Sequence, residues 1–341
     1  MRVVTFGEVM LRLASPRDER LFQSQIFEAS FGGGEANVAV SLAQLGAHAI
    51  FVSVLPQNEI GQACVMELRK FGVDTSQIQY GEGRMGIYFL EWGANQKPSN
   101  VIYDREGSAI AVADPDQIHW REIFEHADWF HITGITPAIS QNAATLSIEA
   151  VKTAKSIGLT VSCDLNYRSK LWKYGKDAPN VMRELVKYTD ICIANEGDIQ
   201  KSLGIGKELS VETGQIKSEK YLSMASELMN RYGNVRVVAI TLRESISADH
   251  NNWSACLYDG NDFWYSTQYN IHDIVDRVGS GDSFSAGLIY GLKSYAEPQK
   301  ALEFAAAASC LKHSIKGDLN RVRVEEVEAI MGGKVSGRIK R

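Results

Sequence analysis

A chain of 341 residues, 45% hydrophobic and 23% charged, is long enough for one large α/β domain with a small appendage. Its formal net charge is −5 and its pI about 5.9; the basic block that stands out is the tail Arg338-Ile339-Lys340-Arg341, so nucleic acid is not an expected partner. No apolar run reaches the length of a membrane span, so a membrane is not expected either.

Apolar, strand-like runs alternate with runs of helical period. Residues 3–6 read as the first buried strand. Residues 11–27, and later 85–110, mix polar with apolar positions (Ile87, Phe89, Glu91; Val101, Tyr103, Arg105) and read as an antiparallel sheet lying off the main domain. Residues 35–46 read as a helix, opened by Gly32, Gly33 and Gly34 and closed by Gly46, a suitable C-cap. Strand 48–54 and helix 61–72 follow. Beyond 110 come strands 129–132, 159–164, 191–194 and 235–241, with helices 140–158, 178–188 and 218–232 among them. Residues 201–218 are polar and contain glycine, and read as a loop. Helices 283–292 and 305–315 end the series. This alternation predicts a doubly wound, mainly parallel sheet with helices on both faces. Ligands of such sheets bind beyond the carboxyl ends of the strands, and Asn166, Asn195 and Thr241 each stand just past a predicted strand.

The five cysteines, Cys64, Cys163, Cys192, Cys256 and Cys310, are scattered and lack Cys-x-x-Cys spacing. They read as buried thiols of a reducing cytoplasm, and no signal peptide precedes the first strand. The seven histidines form no ligand cluster, so a structural zinc is not expected.

The stretch Asp276-Arg277-Val278-Gly279-Ser280-Gly281-Asp282 leads directly into helix 283–292. Two glycines therefore stand at a helix N-terminus, where free backbone N–H groups and the dipole favour an anion. Asp282, in the first turn of this nest, is placed to take a proton from a hydroxyl. An anion hole at Gly279, Ser280 and Gly281 beside a carboxylate base is what phosphoryl transfer from a nucleotide to an alcohol requires. A plain glycine turn followed by an ordinary first-turn acid is the competing reading. The upstream element Phe31-Gly32-Gly33-Gly34-Glu35-Ala36-Asn37 lets backbone approach a ligand closely at Gly33 and Gly34. Asn37 can both donate to and accept from vicinal sugar hydroxyls. The third glycine of a dinucleotide fingerprint is missing, and no Gly-x-x-x-x-Gly-Lys-Ser/Thr string occurs. Tyr103 and Arg105, two apart on a strand, share one face. Arg168 follows the strand that ends at Asp164. Two arginines converging on one site suggest an anionic substrate, since the guanidinium fork suits a carboxylate. Surface ion pairing is the alternative for each.

Together the two glycine-rich elements resemble the two signatures of the ribokinase-like (phosphofructokinase-B type) family of sugar kinases. The resemblance runs from Val3-Val4-Thr5-Phe6-Gly7-Glu8 to Lys316-Gly317-Asp318. It implies one ribokinase-like domain over residues 1–341, with a lid formed by about 11–30 and 85–112 that covers the sugar and makes a homodimer contact. The strings Tyr103-x-Arg105-x-x-Ser108-Ala109 and Asp164-x-Asn166-Tyr167-Arg168-x-x-Leu171-Trp172 are similar to those of the 2-keto-3-deoxygluconate kinases within the family. That likeness implies a sugar acid held by Gly33, Gly34, Asn37, Tyr88, Tyr103, Arg105 and Arg168. It also implies ATP with Mg²⁺ as donor, Asp282 as base, and 2-keto-3-deoxy-6-phosphogluconate as product. Fructokinases share the second string, so a neutral ketose such as fructose stays open, as does a sugar-binding relative without catalysis. At the nucleotide end the likeness implicates Asn195, Thr241 and Arg243 with Gly279 and Gly281. Glu196, or Asp198, which stands one position earlier than the family's usual acid, would organise waters around Mg²⁺; a helix cap is the alternative there. Asp276 is the candidate ligand for a monovalent cation, K⁺ included. In Thr241-Leu242-Arg243-Glu244-Ser245-Ile246, Arg243 and Ile246 replace glycines usual in the family; Arg243 can itself reach a phosphate.

Overall fold

The computed structural model describes residues 1–206 and 218–333. The tail 338–341 and most of the expected loop 201–218 lie outside the described residues. The strands are β1 (Arg2–Phe6), β2 (Met10–Ala14), β3 (Glu28–Gly32), β4 (His48–Pro56), β5 (Ile78–Gly81), β6 (Ile87–Glu91), β7 (Asn100–Asp104), β8 (Trp129–Thr133), β9 (Thr160–Asp164), β10 (Ile191–Ala194), β11 (Val237–Ser245), β12 (Asn251–Tyr258), β13 (Phe263–Tyr265) and β14 (Tyr269–Ile271). The helices are α1 (Gly34–Gln44), α2 (Glu59–Lys70), α3 (Ala109–Val112), α4 (Trp120–Ile123), α5 (Gln141–Ser156), α6 (Ala178–Val186), α7 (Glu196–Leu203), α8 (Ser218–Arg231), α9 (Ser280–Ser294), α10 (Pro298–Lys312) and α11 (Val324–Met331).

The main sheet runs β13-β12-β11-β10-β9-β8-β1-β4-β5, with β14 also on β12. From β11 to β5 every pair is parallel, and β12 to β14 form an antiparallel edge. Central parallel strands are covered on both faces, which is why their sequences are near-continuous apolar runs. On one face Phe6, Val52, Phe130, Leu146 and Leu228 share a core; on the other Val3, Phe51, Leu42, Phe284 and Leu302 do. Four of the cysteines are buried and Cys310 is partly so. Chain crossovers leave β1 toward β4 on one side and β8 on the other. The carboxyl ends of these strands are therefore a topological switch point, where such folds bind ligands.

The second sheet runs β3-β2-β6-β7. It is mixed rather than antiparallel, because β2 and β6 pair in parallel. Both strands leave the same edge of the main sheet, β2 after β1 and β6 after β5, so they run outward in one direction. Residues 11–27, expected as one strand-like stretch, are strand only over 11–14, all of β2 but Met10; its antiparallel partner β3 begins beyond them at Glu28. Thr241, expected just past a strand, lies inside β11, which continues to Ser245 because β12 pairs along it from Tyr258 to Asn251. Residues 201–203, read as loop, close α7.

Candidate active site

Helix α9 starts at Ser280, inside the glycine nest and ahead of the expected 283. Gly279 caps it at φ 82, and a side chain there would collide with the Asp318 carbonyl. Gly281 and Asp282 line a cavity of about 710 Å³ at the carboxyl ends of the strands. Their first-turn N–H groups have no intrahelical acceptor. The Ser280 N–H is taken in part by the Arg277 carbonyl at 3.3 Å, which leaves Gly279 and Gly281 as the freer donors of the expected trio. The Ser280 hydroxyl donates to Arg277 O at 2.9 Å and accepts from Arg243 Nη2 at 3.0 Å. Arg243, stacked over Trp253, thus reaches the first turn of α9 from a position where the resemblance expected a glycine.

Asp282 Oδ2 accepts from Asn37 Nδ2 at 2.7 Å, and Asn37 Oδ1 accepts from the Gly33 N–H at 3.3 Å. Asn37, expected on sugar hydroxyls, therefore also orients the carboxylate. Burial pushes the Asp282 carboxyl up to about 6; the Asp318 charge adds to this, and the Asn37 hydrogen bond, Arg168 and Lys312 oppose it. A Cβ at Gly33 would strike the Glu8 carbonyl, and one at Gly34 would lie 3.3 Å from Thr133 and 3.8 Å from Asp282 Oδ1. Both glycines are thus close-approach positions.

Under the lid, Tyr88, Tyr103, Arg105 and Arg168 line the same cavity with Gly33, Gly34 and Asn37. Arg105 is buried, forms an ion pair with the buried Glu8 and lies 5.6 Å from the centre of the Tyr103 ring. Arg168 is exposed and donates to the Tyr167 carbonyl at 3.0 Å. The Tyr88 hydroxyl donates to Asp318 at 2.6 Å.

At the other end, Asn195, Glu196, Asp198, Thr241 and Arg243 line the cavity. Asn195 is also the N-cap of α7 in a capping box with Asp198, so the helix-cap alternative holds beside any ligand role. Glu196 pairs with Lys220 at 2.7 Å. Burial raises the Asp164 carboxyl, and repulsion from Asp198 and Asp282 raises it further. Among the described residues no group of three His, Cys, Asp or Glu side chains could hold a metal by itself.

Asp276 stands outside the cavity lining. It belongs to a buried network in which Arg12 on β2 bridges Asp276 at 2.8 Å and Asp318 at 2.6 Å. Arg12 and Lys312, buried behind the site, are outside the motifs, while Glu8, Asp164 and Asp318 stand within the motif strings without an assigned role. A hint lay in the strand β2 itself, where an arginine between Leu11 and Leu13 sits on the buried side.

A family model for the pfkB family of carbohydrate kinases matches residues 1–321. The crystal structure of 2-dehydro-3-deoxygluconokinase from Thermotoga maritima is 49% identical, with a TM-score of 0.92 and 98% of each chain covered. The chain is 33% identical to 2-dehydro-3-deoxygalactonokinase of Haloferax volcanii, over 98% of both chains. A putative 2-keto-3-deoxygluconate kinase from Enterococcus faecalis is 26% identical, with a TM-score of 0.89 over 100% of this chain and 99% of that one.

Proposed function

The chain belongs to the pfkB family of carbohydrate kinases, and we propose that its reaction is ATP-dependent phosphorylation of 2-keto-3-deoxygluconate at the terminal primary hydroxyl, giving 2-keto-3-deoxy-6-phosphogluconate and ADP. The observation that carries this reading is a single cavity holding the Asn37-bound Asp282 at one point and Arg105, Arg168 and Tyr103 beneath the lid. The relatives named for 2-keto-3-deoxy sugar acids support the acceptor class.

Asp282 accepts the hydroxyl proton as the acceptor oxygen bonds to the γ-phosphorus and the bond to the ADP oxygen breaks. Asn37 fixes the carboxylate's direction throughout. The Gly279 and Gly281 N–H groups, with the guanidinium of Arg243 beside Ser280, meet the charge on the transferred group. Asp164 and Asp198, with Glu196 on the same cavity wall, would hold a hydrated Mg²⁺ carried by the nucleotide, since a cation there would relieve the repulsion that raises Asp164. Mg²⁺ so bound would neutralise phosphate charge. Arg168 keeps guanidinium N–H groups beyond its bond to Tyr167 for a carboxylate.

A second reading, a neutral ketose such as fructose, is favoured by one observation: Arg105 is already paired with Glu8. A coupled ADP-release assay over 2-keto-3-deoxy sugar acids of both epimers, fructose and nucleosides decides between them. We expect the sugar acids to be turned over with the highest kcat/KM. A preference for fructose would install the second reading, and no turnover of any acceptor with ATP would remove both.

A further inference from the structure

We infer that the buried side chains of Lys312 and Arg12 stand where Asp276 led to the expectation of a monovalent cation, so that phosphoryl transfer here needs no added K⁺. The inference rests on the kinase reading above.

Asp276 has little left to offer an ion. Its Oδ2 accepts from Arg12 Nη2 at 2.8 Å and from the Gly317 N–H at 2.9 Å, and its Oδ1 accepts from the Val278 N–H at 3.0 Å. A free cation at Oδ2 would lie against a guanidinium that is itself buried. Asp318 is taken in the same way, by Arg12 Nη1 at 2.6 Å and by the Tyr88 hydroxyl. The donor set around these carboxylates is thus complete and does not fit an added ion.

The positive charge such an ion would supply is already present. Lys312 is fully buried and donates to the Ile315 carbonyl at 3.1 Å. Its Cε lies 3.3 Å from where a Cβ on Gly279 would sit. The end of this side chain is therefore packed directly behind the turn that forms the anion hole. Burial lowers the Lys312 ammonium from its usual range and Arg12 adds to this, while Asp276, Asp318 and Asp282 hold the proton on it. Arg12 and Lys312 face three carboxylates, Asp276, Asp318 and Asp282, and Arg12 already pairs with the first two. A further cation at Asp276 would lie against that buried guanidinium, which is costly away from water. Lys312 does not touch the reacting atoms; it is a positioning residue that acts through the anion-hole turn.

The test is the initial rate with ATP, Mg²⁺ and 2-keto-3-deoxygluconate at constant ionic strength. K⁺, Na⁺ or tetramethylammonium is the sole monovalent cation. The same rate in all three is expected; strong stimulation by K⁺ over tetramethylammonium overturns the inference. ATP–Mg²⁺ affinity, measured by calorimetry in the same salts, needs no sugar. It separates failure of this inference from failure of the acceptor assignment: equal affinities support the inference, and K⁺-dependent affinity overturns it. Lys312→Ala should lower kcat about a hundredfold, as loss of anion-hole support does elsewhere. It should leave the KM for sugar in place and regain rate with K⁺ or ammonium. A fall in kcat without cation rescue would make Lys312 a packing residue and overturn its role, and the wild-type salt series stands even if that variant does not fold.

Discussion

In the proposed reaction Asp282 is the base, and burial holds its carboxyl near 6. Below that pH the acid is protonated and cannot accept the hydroxyl proton, so kcat/KM should rise with pH through about 6 and then level. Asp282→Asn should abolish that limb and lower turnover by about two to four orders of magnitude, the usual loss of a positioned base. A carboxyl whose pKa is raised on folding costs stability wherever it is ionised. The asparagine variant should therefore melt no lower than the parent at pH 7, and a lower melt with unchanged turnover would remove Asp282 from the mechanism. The two arginines divide differently. Arg168→Met should raise the KM for the sugar acid about ten- to a hundredfold, the loss of a charge-assisted contact, and should affect fructose less. Arg105→Met would also leave the buried Glu8 without its partner, so it should cost stability as well, about 3–5 kcal/mol for an unpaired buried charge. Equal losses on acid and neutral sugars would mean that the arginines serve the phosphates or the fold. The helix start at Gly279 with Asp282 in its first turn was legible in the sequence, because glycines before a small-residue helical run mark a helix N-terminus. Arg12, Lys312 and Glu8 were not, because a single charged residue in an apolar stretch reads as surface until the partners that neutralise it, distant in the chain for Arg12 and Glu8, are placed.

Helix α9, whose first turn is the proposed anion hole, is packed on α10 through glycine. A Cβ on Gly291 would press on the backbone of Ala301, at 2.7 Å from its Cα, and one on Gly287 would meet Ala305 Cα at 2.9 Å. Gly291→Ala must push the helices apart. It should destabilise the protein by about 1–3 kcal/mol through overpacking, read from chemical denaturation, while turnover per folded molecule changes little because Gly291 is about two and a half turns from Asp282. A variant as stable as the parent would show that the helix pair can slide. At this scale the parallel strands were legible because each is a short, nearly unbroken apolar run, covered on both sides. The antiparallel edge β12 to β14 was not read. Asn251, Asn252 and Ser254 interrupt its apolar pattern, and β12 draws its order from pairing along β11. The lid was legible as a separate sheet but not in its pairing. Strand alternation shows that a face is half-buried, while parallel or antiparallel pairing depends on where each strand leaves the main sheet. α7 was weighed as a capped helix, and Asn195 with Asp198 makes the cap.

The cavity gathers Glu8, Asn37, Arg105, Arg168 and Asp282 from both sheets and from the helices that flank the larger one. Only the whole molecule makes the site, and the lid is fixed to it from below by Arg12 and Tyr88 through Asp318. The opposite side of the lid has no such cover. Phe22 is 76% exposed, Ile26 65% and Ile102 49%. Phe22 packs edge-on against Phe27 at 5.3 Å, Phe27 against Phe89 at 6.0 Å, and Phe89 pairs with Ile102 across β6 and β7. Contiguous apolar surface of this kind is rare on a monomer and marks an interface. The sheet order also leaves β3 and β7 as edges, with backbone groups free to face another strand. A second copy of this chain meets both needs at once, since a two-fold contact sets the same apolar patch against itself. Light scattering on the purified protein should accordingly give twice the 37.7 kDa of one chain. Phe22→Glu with Ile102→Glu should give a folded monomer, because two buried carboxylates on each side of the contact would have no partner. The double variant should keep ATP binding, as neither residue lines the cavity. A wild-type monomer at all working concentrations, or a dimer that survives both charges, would move the interface elsewhere and leave the lid's outer face as plain surface.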